Sequence, residues 1–395
     1  MSEFYASVCA EHEFKINTHI LQVLEETTAA EDVTLKLAGN NLLRRVQRLD
    51  DGDVLALSTC LRNNRCVTGL DVGYNNITDE GVGHLADFLQ DGSALRSLDL
   101  TFNDIHTDGA EVLANSLQCN STLLSLRLSG NKIGNRGAMH LARMLQVNTT
   151  LKELEVADCD LATQSVVALA IVLKSNKTLC SVDVSRPLLF SHQEEWATHF
   201  SQMLAVNGSL VELHLGKMGL TDTGMERLTQ GLWLNRSLRY LDLRCNRVTR
   251  DGVRHLAAVL KQNPTLEIVD LSANRIEDEG AVCLSEAVAW PGCALRELSV
   301  ISNNIRTEGL LSLAQAMTVN TTLDHMYIWG NRLEEPVCQA FRELIASGRL
   351  PPGNTDVSAY EVDGRVFLAE AFHSLRRRYD RTHSTMKGLH RPAAH

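Results

Sequence analysis

Prolines are scarce in this chain, seven in 395 residues, and aromatic residues make up only 5% of it. No apolar run approaches the roughly 20 residues that a membrane-crossing helix needs, so no transmembrane span is expected. The first residues, MSEFYASVCAEHEF, have neither a basic start nor an apolar stretch, and no secretory signal is read there. The ten cysteines stand singly, at 9, 60, 66, 119, 159, 180, 245, 283, 293 and 338, without a CxxC pair. That spacing supports neither a zinc site nor a thioredoxin-like motif. In a reducing compartment such cysteines act as small buried hydrophobes. Seven N-x-S/T triplets, including those at Asn148 and Asn320, recur at one repeat position and read as structural rather than as glycosylation acceptors. A cytoplasmic and/or nuclear protein is expected. HExxH, P-loop and GxSxG patterns are missing too, and neither His214 nor His325 has a partner at the spacing of a base or ligand. No catalytic residue, metal, cofactor or small-molecule substrate is therefore expected, and the chain does not read as an enzyme.

What the sequence has in abundance is one phrase. LxxLxLxxNxL recurs with its Asn at 40, 75, 103, 131, 246, 274, 303 and 331, and the same position holds Cys159, Pro187 and Met218 in three further copies. Most steps are 28 residues; the exceptions are 35, 31 and 29. A fixed period of this length is the signature of a repeat array. In LRSLDLTFNDI, the leucines 95, 98 and 100 fit a strand with one buried face. The next half, HTDGAEVLANSLQCNST, sets Val112, Leu113 and Leu117 at helical spacing behind Asp108 and Gly109, which suit a helix start. Each copy is thus a strand, a turn, a helix and a return. Stacked copies bury what one alone cannot. Strands pack about 4.8 Å apart and helices about 10 Å, so an arc is expected, with strands on its concave and helices on its convex side. The repeated Asn is expected to bond backbone groups at the strand exit, forming a ladder.

The period and phrases such as NKIGNRGAMHLARML resemble the ribonuclease-inhibitor class of leucine-rich repeats over about residues 31 to 345. That resemblance implies an α/β solenoid, or horseshoe, of about eleven repeats. It leaves function open, because the class includes inhibitors, small-GTPase activators, innate sensors and scaffolds. VDVSRPLLFSHQEE, YIWGNRLEE and NTDVSAYEVDGRVFLAE are similar to a single vertebrate branch of the class, which implies a non-enzymatic intracellular binding protein.

Residues 1–30 read as an N-terminal helical cap, residues 346–379 as a C-terminal cap with a hairpin at Asp363-Gly364 and a helix around LAEAFHSLRRR, and residues 380–395 as a basic tail. Six basic residues from Arg376 onward face a single acid, Asp380, which leaves 32 basic and 47 acidic residues before them. The body is acidic and the tail basic. Between the strand leucines, one inward-facing column reads Lys36, Asp71, Asp99, Arg127, Glu155, Asp183, His214, Asp242, Asp270, Ser299, Tyr327. Like charges at strand spacing repel, so a basic protein ligand would relieve them. Such Asp residues also often serve only the repeats themselves. Tyr240, Tyr327 and Trp329, with Ile268, Ile301 and His325, fall at inward or strand-end positions of the last copies, and aromatics of this kind anchor interfaces; a terminal hairpin folded over them would instead make them part of the cap. The candidate partner-binding set is therefore Asp71, Asp99, Glu155, Asp183, Asp242, Asp270, Tyr240, Tyr327 and Trp329.

The favoured function is a protein-binding scaffold or regulator acting through the concave face on a partner with basic segments, with neither membrane nor nucleic acid as its ligand. The alternatives are a small-GTPase activator, a ribonuclease-inhibitor-like protein and a structural component of a cytoskeletal assembly. Arg244, Arg247, Arg275 and Arg332 decorate the strand-exit rim and read as a solvated edge or an acidic-partner site. Pro187 has no amide to donate and Met218 no strong hydrogen-bonding group, so the ladder is expected to break between Cys159 and Met218. There Leu188, Leu189, Phe190 and Trp196, beside Glu194 and Glu195, would suit a partner helix.

Overall fold

A computed structural model describes residues 1–27, 32–41, 46–91, 93–189 and 194–371. The chain divides into two compact units, Met1–Met218 and Gly219–His395. The boundary falls directly after the last of the three positions where the repeated Asn is replaced.

Seven parallel strands of the first unit pair in sequence order: β1 (Val33–Lys36), β2 (Val67–Asp71), β3 (Ser97–Asp99), β4 (Ser125–Arg127), β5 (Glu153–Glu155), β6 (Ser181–Asp183) and β7 (Glu212–His214). Helices α1 (Ser2–Glu11) and α2 (Thr18–Glu26) precede them. Helices α3 (Asp51–Leu61), α4 (Asp79–Gln90), α5 (Thr107–Leu117), α6 (Gly134–Val147), α7 (Thr163–Leu173) and α8 (Glu195–Leu204) follow successive strands, and each packs on the next. In the second unit α9 (Asp222–Leu234) leads into β8 (Tyr240–Asp242), α10 (Arg250–Leu260), β9 (Ile268–Asp270), α11 (Glu277–Val288), β10 (Glu297–Ser299), α12 (Thr307–Val319), β11 (His325–Tyr327) and α13 (Glu335–Ala346). Strands β8 to β11 are again parallel and in order.

The leucine phrase works as the period requires. Leu95, Leu98, Leu100 and Ile105 are wholly buried, and α5 meets them with Ala110, Leu113, Ala114 and Leu117. Val112, expected on that helical face, is exposed instead. The buried stripe runs i, i+3, i+4, i+7 from Ala110, which turns Val112 outward.

The asparagine ladder is present in both units. Asn131 Nδ2 donates to the carbonyls of Leu100 (2.8 Å) and Leu128 (2.7 Å), and its Oδ1 accepts from the Ile105 amide (3.1 Å). Asn75, Asn103 and Asn274 bond in the same way. Asn40, in the first copy, is exposed. The break is milder than expected. The Cys159 thiol takes over one donor role, to Leu128 O at 3.1 Å, and Leu188, just after Pro187, donates its amide to Leu161 O at 2.7 Å, the link that Lys132 makes to Ile105 after Asn131.

A second asparagine series holds the helix returns. Asn148, Asn176, Asn207 and Asn263 are buried; each donates to a carbonyl at the end of the preceding helix and accepts the amides two and three residues on. Three of these four are the Asn of an N-x-S/T triplet, which gives that recurrence a structural cause.

A third series caps helix N-termini across repeats. Asp222 accepts from the Thr249 amide (2.8 Å) and hydroxyl (2.6 Å) and from the Gly252 amide (3.0 Å) at the start of α10. Asp51, Asp79 and Asp278 do the same work for the helices that follow theirs. Acceptors there satisfy amides that no helical carbonyl reaches, and their charge favours the dipole.

At the N-terminal end Asn17 caps α2 through His19 N and sends Nδ2 to the buried Asp53 carboxylate at 2.7 Å, tying α2 to α3. Burial raises the Asp53 carboxyl above its ordinary range. At the other end Arg349 binds the carbonyls of Met317, Asn320 and Leu323, closing α12. Thr355 bridges to Met326, and the Asp356 carboxylate accepts the Ile328 (2.8 Å) and Trp329 (3.0 Å) amides at the edge of β11. Strands β12 (Val357–Val362) and β13 (Arg365–Glu370) form an antiparallel hairpin that turns through Asp363 and Gly364, both at positive φ, and rests on α13. The helix expected around LAEAFHSLRRR does not begin at Leu368–Glu370, which stay paired in β13. Its remainder, and the tail from 380, lie outside the described residues.

Candidate protein-binding face

The strand faces carry the sequence column in register. In the first unit Lys36 stands opposite Asp71, Asp71 opposite Asp99, Asp99 opposite Arg127, Arg127 opposite Glu155, Glu155 opposite Asp183, and Asp183 opposite His214. In the second, Asp242, Asp270, Ser299 and Tyr327 follow one another. Each column Asp also accepts the amide two residues on: Gly73, Thr101, Ser185, Arg244 and Ser272. Every one is therefore a structural acceptor at the strand exit.

In the first unit the charge gathers round Arg127. Its guanidinium lies 3.7 Å from Asp99, 2.9 Å from Glu153 and 3.4 Å from Glu155. Burial pushes the Glu155 carboxyl up to about 8; Arg127 pulls it down, and Glu153 and Asp183 add to the rise. Asp71 is also raised, first by burial and then by Asp99. Sequence reading found this column but missed the second one, two residues earlier, where Glu153 and Glu212 add carboxylates to the same face. Alternation along each strand was the available signal.

An aromatic pair was also missed. Tyr74 and Phe102 stack with centroids 4.7 Å apart at 19°, directly after the strands that carry Asp71 and Asp99. Both backbones are left-handed, and Phe102 is 45% exposed. Gly130 occupies the next rung at φ 80°, where a Cβ would lie 2.5 Å from the Phe102 ring. The absent side chain lets that ring lie flat against the backbone. The readable signal was an aromatic just before the ladder Asn in two successive copies, GYNN and TFND.

The C-terminal aromatics behave differently. Tyr240 and Tyr327 are buried, and Trp329 is half-buried with its amide held by Asp356. They are not the exposed anchors that their positions suggest; at the β11 edge the Asp356 carboxylate holds the backbone of Ile328 and Trp329. Asp242 and Asp270 are buried as well, with Arg244 2.8 Å from Asp242. Near the Pro187 break, Trp196 is buried in α8 and packs edge-on against Phe200, centroids 6.2 Å apart. It serves the core rather than a partner helix. Leu188 is exposed, Leu189 half-buried, and Phe190 to Gln193 lie outside the described residues. All ten cysteines are free thiols; Cys66, Cys119 and Cys245 are exposed, unlike the buried set expected. Among the described residues no helix is long and apolar enough to cross a membrane.

Parallel strands in register, helices packed in sequence order and an asparagine ladder define a leucine-rich-repeat protein, a class of generally non-enzymatic scaffolds for protein interaction. The leucine-rich repeat family profile matches residues 63–86, 94–114, 119–142, 147–170, 234–257 and 262–285. The chain is 55% identical over 385 residues to human leucine-rich repeat-containing protein 34, covering 96% of this chain and 83% of that one. To the mouse protein of the same name it is 48% identical, covering 95% and 92%. The chain belongs to the leucine-rich repeat-containing protein 34 family. Among solved structures it is similar to a chain of the yeast Rad7 and Elc1 complex, with 17% identity, 75% and 76% coverage and a TM-score of 0.44.

Proposed function

We propose that the chain is a non-catalytic scaffold of the cytoplasm or nucleus that docks a protein partner through a basic segment on the acidic strand face of its first unit. The observation that carries this reading is the placement of the stacked Tyr74–Phe102 pair beside Asp71 and Asp99, which stand in register. Lysine or arginine side chains meet there both carboxylates and aromatic faces, and cations gain from each. Asp71, Asp99 and Asp183 are only half-buried, so a ligand reaches them without unfolding the turn each one holds. The raised Asp71 carboxyl supports the reading too: burial and the neighbouring Asp99 make its negative charge costly to hold, and a cation arriving there relieves that cost.

The test is affinity capture from lysate with two full-length variants whose melting matches the parent: Asp71→Lys with Asp99→Lys, and Tyr74→Ala with Phe102→Ala. Partners lost from both, and lost from the parent as salt rises, support the reading. Partners retained by both variants overturn it.

A further inference from the structure

We infer that the groove between α6 and α7, on the helix layer of the first unit, is a docking site for an acidic amphipathic helix of a partner protein. The inference does not depend on the strand face or on its proposed basic ligand.

Composition is the first observation. The α7 sequence, TQSVVALAIVL, holds no charged residue. Val166, Leu169, Ala170, Val172 and Leu173 are buried, as the core side of a repeat helix must be. The outward side is apolar too: Val167 and Ala168 are half-buried and Ile171 is 47% exposed. A helix that is apolar on every side is normally covered on every side. Met139, on the neighbouring α6, adds a side chain that is 44% exposed.

Shape is the second. Helices α6 and α7 pack together and leave along them a groove of about 550 Å³. Its α7 wall includes Ala168, Ile171 and Val172, and its α6 wall Arg136, Met139, His140 and Arg143. An apolar slot along two helices accepts the side-chain ridge of a third. A bilayer surface would call instead for a cluster of roughly four to eight cations.

Charge says what kind of helix. Outward positions recur every 28 residues, so one column can be followed from helix to helix. Glu80 and Asp87 of α4 become Asp108 and Asn115 on α5, Arg136 and Arg143 on α6, and Gln164 and Ile171 on α7. The sign reverses at α6, although the chain as a whole is acidic. Neither α6 nor α7 contains an acidic residue. Among the described residues neither arginine forms an ion pair, and the acid beside the groove, Glu111 of α5, lies 3.5 Å from His140. Arg136 and Arg143 stand two helical turns apart, about 10 Å along the axis. A partner helix lying along α6 meets both with carboxylates seven positions apart and fills the slot with the apolar residues between them.

The experiment uses the full chain with its methionine methyl groups labelled with carbon-13. The probe is a helical peptide of about 18 residues with a leucine stripe and, beside it, two glutamates seven positions apart. A control peptide has glutamine in place of both. Two variants are compared with the parent after their melting is matched: Arg136→Glu with Arg143→Glu, and Ile171→Gln. All three positions are exposed, so the fold should survive. The glutamate peptide should bind the parent and shift the Met139 methyl signal. The glutamine peptide and both variants should each show binding weakened by at least about fivefold. No binding of the glutamate peptide, equal affinity for the two peptides, or an unmoved Met139 signal overturns the proposal. So does a Met139 shift produced by phosphatidylserine vesicles alone, which assigns the groove to a membrane, or by protein concentration alone, which assigns it to a second copy.

Discussion

Replacing Gly252 by alanine near the start of α10 should destabilise the protein, although the same change in a free helix would stabilise it by about 1 kcal/mol. The opposing effect comes from the neighbouring repeat. A Cβ at Gly252 would lie 2.5 Å from Asp222 Oδ1, 2.9 Å from Val248 Cγ1 and 3.2 Å from the Asp222 Cα, and the tightest of these contacts is relieved by the carboxylate swinging away. In doing so it gives up the Thr249 amide and hydroxyl and the Gly252 amide. Bonds to a charged group are worth about 1.5–3 kcal/mol, and water replaces part of that at a half-buried carboxylate, so a loss of about 3 kcal/mol is reasonable for the set. The net expectation for Gly252→Ala is a loss of about 2 kcal/mol. Asp222→Ala alone should cost about 2–3 kcal/mol. Combined, the two should cost little more than one, because the methyl then occupies space the carboxylate has left. Urea unfolding of the parent, both single variants and the double variant, followed by circular dichroism, closes the cycle. A Gly252→Ala protein more stable than its parent would refute the reasoning. So would additivity within about 0.5 kcal/mol, since the carboxylate would then not be what the methyl displaces.

Asn131→Ala should cost about 3 kcal/mol, since three buried backbone groups lose their partner at once, read by the same urea titration. Asn17→Ala should cost about 2 kcal/mol by leaving the Asp53 carboxylate without its side-chain donor, with amide exchange of α1 and α2 rising first. The Glu155 carboxyl, raised from 4.5 to about 8 in the fold, keeps its proton there after the unfolded chain has lost it. Its contribution is fully present below pH 4.5 and disappears as pH climbs toward 8, so Glu155→Gln should flatten the loss of stability over that window. Gly130→Ala should displace the Phe102 ring and strain a left-handed backbone, visible as a change in the Phe102 ring signals by NMR and a loss of about 1–2 kcal/mol.

Local pattern carried the repeat, the strands and the register of the column from Lys36 to His214, because a period of two places every second side chain on one face whatever surrounds it. The ladder asparagines were legible for the same reason: one residue type at one offset. Asp222 and its counterparts were not, since an Asp at a helix start looks like a cap for its own helix, and only the stack shows that it serves the next one. Trp196 was misplaced by grouping it with Leu188, Leu189 and Phe190 as a surface suited to a partner helix. Its spacing to Ala197, Phe200, Met203 and Leu204 is a helix stripe, and that stripe had the better claim. Burial of Asp242 and Asp270 was out of reach altogether. Each reads as an inward position like Asp71 or Asp99, and nothing within its own repeat distinguishes it. What closes the β11 edge lies outside the repeats, in Thr355 and Asp356. A repeat array specifies its own faces locally. Which of those faces stays open is decided by the segments that do not repeat.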